Sequence, residues 1–223
     1  LVAYGSIFNN QEKVRIVRRI LIGLEAAGVR QISYMPDYYG IVDRALDSLQ
    51  ITMDISPLVF KTKADQRDTI RAAEMLMKNG ADCIITLGGD GTNRVVAKGT
   101  CHVPILPVST GTNNVFPIFV EATIAGAAAG LIASGKVPFA DVAQQQKLIR
   151  VSIEDEKDDI ALIDAVLTSD SADSMAIEIR IDRILLPDQQ GELQGALTAA
   201  RLADQQQRRA TASTRAEIER LLG

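Results

Sequence analysis

The chain has 223 residues, 47% of them hydrophobic and 23% charged, with a net charge of −4. That is ordinary globular composition, in a length that suits one large domain or one domain with a smaller partner. The acidic balance argues against a nucleic-acid binder, which needs a basic face to displace counterions, and no apolar run reaches the roughly 18 residues that span a bilayer.

No secretory signal or lipidation motif stands out, so the cytosol is the expected location. Two cysteines, Cys83 and Cys101, form no CxxC, and Cys83 sits in an apolar run where a buried reduced thiol is the default. The single histidine, His102, removes His-rich zinc sites from consideration.

Leu1 to Tyr4 reads as a buried strand that opens into the Gly5-Ser6 turn. The chain lacks an initiator Met and starts in mid-element, so residues are expected to precede it. Asn9, with Glu12 three residues on, has capping-box spacing. Val14, Val17, Ile20, Leu21 and Leu24 follow at helical spacing, and Gly28 closes the helix. Gln31 to Met35 is a short strand and Pro36 to Tyr39 a turn-rich loop. Thr52 to Phe60 is strand-like, confined to an edge or split by Pro57. Asp65 to Lys78 is a helix stopped by Asn79-Gly80, Cys83 to Leu87 a buried strand, Asn93 to Lys98 a short helix and Pro104 to Val108 the next strand. Thr123 to Ala133 is an Ala-rich helix ended by Gly135. This alternation of strand and helix specifies a parallel α/β domain over residues 1–140.

From 141 to 223 the pattern changes. Leu148 to Ile153 and Ile160 to Thr168 read as strands joined by the charged turn Glu154–Asp159, expected to be solvated, and Met175 to Leu186 alternates again. Strands without intervening helices predict an antiparallel, β-rich second domain. It looks too small to close its own core, so segments are expected to be missing from it.

The strongest chemical signal is Leu87-Gly88-Gly89-Asp90-Gly91-Thr92-Asn93, where a strand feeds a helix. Glycines there are expected to take positive φ and to bring backbone N–H groups against an anion, at the strand end where phosphates bind in α/β sheets. Asp90 would repel bare phosphate; it makes sense as a base facing a hydroxyl or as a magnesium anchor. The alternative is a tight turn in which Asp90 caps the next helix. A second loop, Ser109-Thr110-Gly111-Thr112-Asn113-Asn114, ends the following strand and offers side chains for ribose or adenine; alone it could equally be a hydrophilic turn. Both loops are expected to line one crevice.

Gly88-Gly89-Asp90-Gly91-Thr92 resembles the signature of the ATP-NAD kinase and diacylglycerol kinase superfamily. The longer strings LGGDGTNR and STGTNNVFP, with the helix after Glu121-Ala122, resemble one branch of it, the ATP-NAD kinase-like AcoX proteins. The resemblance covers residues 1 to about 168. It implies an NAD kinase-like fold with a nucleotide crevice and phosphoryl transfer from ATP, with Mg2+ by analogy. The implied acceptor is a nucleotide hydroxyl, in NAD kinases the 2′-hydroxyl of the adenosine ribose, giving NADP. It also implies a link to acetoin catabolism and a homo-oligomer. Carried over by motif, Asp90 is the catalytic acid–base residue; Gly88, Gly89, Gly91 and Thr92 bind phosphate. Asn93, Thr110, Gly111, Thr112, Asn113 and Asn114 fall in the nucleotide-contacting loops. The family's third motif, Asn followed by an acid on a second-domain strand, falls on Ile163-Asp164. Only the acid matches, and an aliphatic Ile163 cannot hydrogen-bond a ribose. Two alternatives therefore stand beside NAD phosphorylation. One is a kinase acting on a lipid or small polyol, which an exposed apolar loop near the crevice would favour, although none stands out in the sequence. The other is a nucleotide-binding regulatory protein without turnover.

Overall fold

A computed structural model describes residues 7–47, 49–100, 103–111, 114–143, 145–153, 158–165 and 177–182. Helix α1 (Ile7–Ala26) starts two residues before the expected cap, so Asn9 lies within its first turn. Its buried stripe, Val14, Val17, Ile20, Leu21 and Leu24, forms the main core with the small residues of α5 (Ala122–Ala133). The contact is backbone to backbone. A Cβ added at Gly126 would lie 2.1 Å from the Ile20 carbonyl oxygen, and one at Gly23 2.2 Å from that of Thr123. The Ala/Gly run of α5 is thus a packing surface that larger side chains would hold apart.

Strand β1 (Gln31–Tyr34) pairs in parallel with β2 (Asp54–Pro57), Gln31 opposite Asp54 through Tyr34 opposite Pro57. Between them runs α2 (Ile41–Leu46), in a stretch for which the sequence analysis names no element. Arg18 of α1 donates from Nε to the Ala45 carbonyl at 3.2 Å and from Nη2 to that of Arg44 at 3.0 Å, satisfying carbonyls a short helix cannot pair itself. Helix α3 (Gln66–Lys78) is capped by Asp65, whose side chain accepts from Arg67 N–H, as Asp caps do.

Strand β3 (Ile84–Leu87), helix α4 (Asp90–Gly99) and strand β4 (Ile105–Val108) form the second parallel unit, Ile84 opposite Ile105 through Leu87 opposite Val108. Helices α1, α3 and α5 all close as the sequence predicts. Gly28, Gly80 and Gly135 have φ of 91°, 78° and 68°, and the N–H groups of Val29, Ala81 and Lys136 reach back to the carbonyls of Leu24, Leu76 and Leu131. This is the double closure that left-handed glycine permits.

After the short α6 (Phe139–Val142), β5 (Leu148–Ile153) lies between β6 (Asp159–Ala161) and β7 (Ile177–Asp182), antiparallel to both. This sheet lies in the same compact unit as the parallel strands, Leu1–Arg183; the other unit, Ile184–Gly223, falls outside the described residues. Strand β6 is much shorter than the expected Ile160 to Thr168. The pairing ends at Ile149 opposite Ala161, because β5 starts at Leu148 and offers almost nothing further to bond. Among the described residues, no helix is long and apolar enough to cross a membrane. The expected strand Leu1 to Tyr4, Cys101, His102 and the tip of the charged turn lie outside the described residues.

Candidate active site

The helix after β3 begins at Asp90, not at Asn93, so Asp90, Gly91 and Thr92 are its first turn. That corrects the expected role of the glycines, none of which takes positive φ; Gly89 is the extended N-cap at φ −97°. The demand for glycine is steric at two of the three positions. A Cβ at Gly88 would lie 2.3 Å from Thr92 Oγ1, and one at Gly89 2.5 Å from Asn114 Oδ1. Gly91 is exposed, with nothing within 4 Å of an added Cβ. The amides of this first turn have no partner within the helix, so they form an anion-seeking N-terminus at a strand's carboxyl end.

Asp90 neither faces bulk solvent nor caps its own helix. Its Oδ1 accepts from the N–H of Phe116 at 2.7 Å, and both carboxylate oxygens accept from Val115 N–H at 3.1 Å. It therefore ties the Gly88–Thr92 loop to the loop after β4, beside Asn114. Asn114 Nδ2 donates to Ser109 Oγ at 2.9 Å, and Ser109 Oγ donates to the Gly111 carbonyl at 3.0 Å. The two loops thus meet at one place, with Gly111 and Thr110 half-buried beside it. Thr112 and Asn113 lie outside the described residues.

Two expected contact residues are placed otherwise. Asn93 is fully buried; its Oδ1 accepts from Thr86 Oγ1 at 2.6 Å and its Nδ2 donates to the Gly89 carbonyl at 2.9 Å. It shapes the loop from within and has no surface left for a ligand. Asp164 is exposed, three residues beyond the end of β6 and so not on a strand.

Sequence reasoning missed the link between α4 and the antiparallel sheet. Arg94 donates from Nε to the Ile160 carbonyl at 2.5 Å and pairs with Asp159, while Lys98 Nζ lies 2.5 Å from Asp159 Oδ1. The charged turn is thus not solvated throughout, since its last residue is held by two cations. Burial acts to raise the Asp159 pKa, but the Lys98 bond and the other contacts outweigh it and hold the carboxyl below its ordinary 3.8. A carboxylate partner for an Arg and a Lys one turn apart on a helix has no local signature.

A cavity of about 480 Å3 opens beside Gly91 and Thr92, walled by Met35, Pro36, Tyr38 and Thr62. Its carboxylates are already engaged. Asp37 accepts from the N–H groups of Tyr39 and Ile41, and Asp68 from those of Lys63 and Ala64. Next to the site, Val115, Ile118 and Phe119 are 71%, 62% and 74% exposed. This is the apolar loop that the sequence reading did not find, because Val-Phe-Pro-Ile-Phe looks like core until its neighbours are known. Cys83 is a half-buried free thiol, pushed up to about 11 by burial, with Asp82 adding to the shift.

The family model of the ATP-NAD kinase N-terminal domain matches residues 7–137. The acetoin catabolism protein X of Cupriavidus necator is 36% identical over 181 residues, covering 75% of this chain and 50% of that protein. The chain thus spans about half the length of that relative. A Gly-Gly-Asp-Gly-Thr turn at a strand end, interlocked with the next loop of a parallel α/β unit, stands within the matched span, and the chain belongs to the ATP-NAD kinase family.

Proposed function

We propose that this chain takes part in ATP-dependent phosphoryl transfer to a nucleotide hydroxyl, with the 2′-hydroxyl of NAD as acceptor and NADP as product. The observation that carries the reading is the interlock of the two loops, Asp90 onto Val115 and Phe116, at the free N-terminus of α4. In this reading the polyphosphate of ATP lies on the amides of Asp90, Gly91 and Thr92, with the nucleoside in the adjoining cavity. The acceptor oxygen attacks the γ-phosphorus, the bond to the β–γ bridging oxygen breaks, ADP leaves, and the hydroxyl proton passes to Asp90. Such transfer is mostly positioning and electrostatics, so a preformed loop pair is what the chemistry needs.

Mg2+ fits this arrangement as a companion of the nucleotide. Magnesium is commonly held by substrate phosphates with only one or two carboxylates; with Asp90 bonded to Val115 and Phe116 and taking the proton, the ion would ride mainly on the phosphates. Bound there, it would neutralise phosphate charge. Among the described residues no cluster of three or more metal-ligating side chains forms a site of its own.

A second reading keeps the transfer and changes the acceptor to one with an apolar part. Exposed Val115, Ile118 and Phe119 next to Asp90 favour it. A place in acetoin breakdown rests on the similarity to the Cupriavidus protein alone. The deciding experiment supplies ATP and Mg2+ with NAD, or with diacylglycerol in mixed micelles, and follows NADP and ADP. NADP formation supports the first reading and lipid phosphorylation the second. Nucleotide binding without either product would leave a regulatory protein.

A further inference from the structure

The buried stripe of α1 does not start with apolar residues. It runs Asn10, Lys13, Val14, Val17, Ile20, Leu21, Leu24, all facing inward at helical spacing, and the two polar members sit together at its N-terminal end. Asn10 is only 4% exposed, and its Oδ1 has no hydrogen-bond partner. Lys13 is 6% exposed and figures in none of the ion pairs among the described residues. Burial holds its ammonium below the ordinary 10.5, opposed by the Asp37 carboxylate. Lysine is rarely buried without a counter-charge at hand, and buried side-chain carbonyls are rarely left without a donor.

Location bears on what these two groups could serve. Lys13 lies within electrostatic reach of Asp37, which follows the carboxyl end of β1, and Asn10 sits one turn before Lys13 on the same helix face. Asp37 also borders the cavity that reaches Gly91 and Thr92. The polar end of α1 is therefore on the side where open α/β sheets bind ligands.

We infer that Asn10 and Lys13 form a further ligand subsite, for a phosphate-bearing molecule that also carries a hydroxyl. Lys13 donates to a phosphate oxygen and Asn10 Oδ1 accepts from the hydroxyl. A nucleotide has both groups; naming it rests on the kinase reading, while the subsite itself does not.

The test is thermal unfolding of the whole protein, alone and with ADP or inorganic pyrophosphate. In wild type both probes should raise Tm. Lys13→Met removes a buried charge and keeps the volume, so its ligand-free Tm should match or exceed that of wild type. Its affinity for both probes should fall roughly 10- to 100-fold, the loss expected for a hydrogen bond from a charged donor. Asn10→Ala should weaken ADP more than pyrophosphate, and Lys13→Arg should retain binding of both. If Lys13→Met lowers the ligand-free Tm and leaves the probe response intact, or fails to fold while Lys13→Gln folds and binds normally, Lys13 is a core counter-charge to Asp37 and the inference fails. It fails also if neither probe stabilises wild type. Absence of phosphoryl transfer with a Lys13-dependent Tm response would overturn the kinase reading alone.

Discussion

Replacing Asp90 separates its two possible roles, because the structure gives it a scaffold task as well as a chemical one. Asp90→Ala leaves the N–H groups of Val115 and Phe116 without their acceptor. Hydrogen bonds to charged groups contribute about 1.5–3 kcal/mol each when buried. Val115 is 71% exposed, so water can replace the acceptor there, and Phe116, at 2.7 Å, carries most of the loss. A net loss of about 1.5 kcal/mol is expected, or roughly 3–6 °C in Tm for a chain of this size. Asp90→Asn keeps an oxygen for Phe116 but sets an NH2 group 3.1 Å from Val115 N–H, where Oδ2 had been an acceptor. It should lose about 1 kcal/mol, between wild type and Asp90→Ala. If Asp90 also takes the acceptor proton, both variants lose turnover on the order of 10²–10⁴-fold, far more than a small loss of stability explains well below Tm. Calorimetry paired with initial rates of NADP formation measures both effects. Asp90→Asn with a lowered Tm and wild-type turnover would make Asp90 a loop brace and refute the assignment.

Gly89→Ala should lose about 1–3 kcal/mol, because its Cβ would stand 2.5 Å from Asn114 Oδ1, whereas Gly91→Ala should keep or raise Tm, with free space around it and a better helix former in place. Thermal melts of the pair check this directly, and equal losses would contradict the steric account. Gly126→Ala should exceed Gly89→Ala in cost, since its Cβ would meet the rigid Ile20 backbone at 2.1 Å and not a movable side chain; urea unfolding at matched m-values ranks the two. Asp159 has its folded pKa depressed, so its stabilisation is present above the ordinary 3.8 and is lost as pH falls through the folded value. The stability gap between wild type and Asp159→Asn, up to about 1 kcal/mol for a partly exposed ion pair, should hold from pH 5 to 8 and shrink as pH falls below about 4, which Tm values measured across that range check.

Much of the architecture could be read from local chemistry. Gly28, Gly80 and Gly135 end helices because left-handed φ is available to glycine at any such position, whatever lies around it. Asp65 caps α3, and the apolar runs 84–87 and 105–108 form strands, for reasons contained within a few residues, while their parallel pairing follows from the helix between them. The loops at Gly88–Thr92 and Ser109–Asn114 could be picked out as a candidate site for the same reason, since small residues at strand ends are a local pattern. What each residue does there was decided by the tertiary structure. Gly88 and Gly89 need small size and not positive φ, because Thr92 and Asn114 press on them. Asn93 is lost to the ligand because Thr86 and Gly89 take both ends of its amide. Asp90 holds a backbone 25 residues away, Arg94 a carbonyl 66 residues away, and β6 ends where its partner β5 runs out. Each of these is a contact between distant parts of the chain. Spacing along the sequence encodes which face of an element a residue occupies, but not which other element comes to meet it.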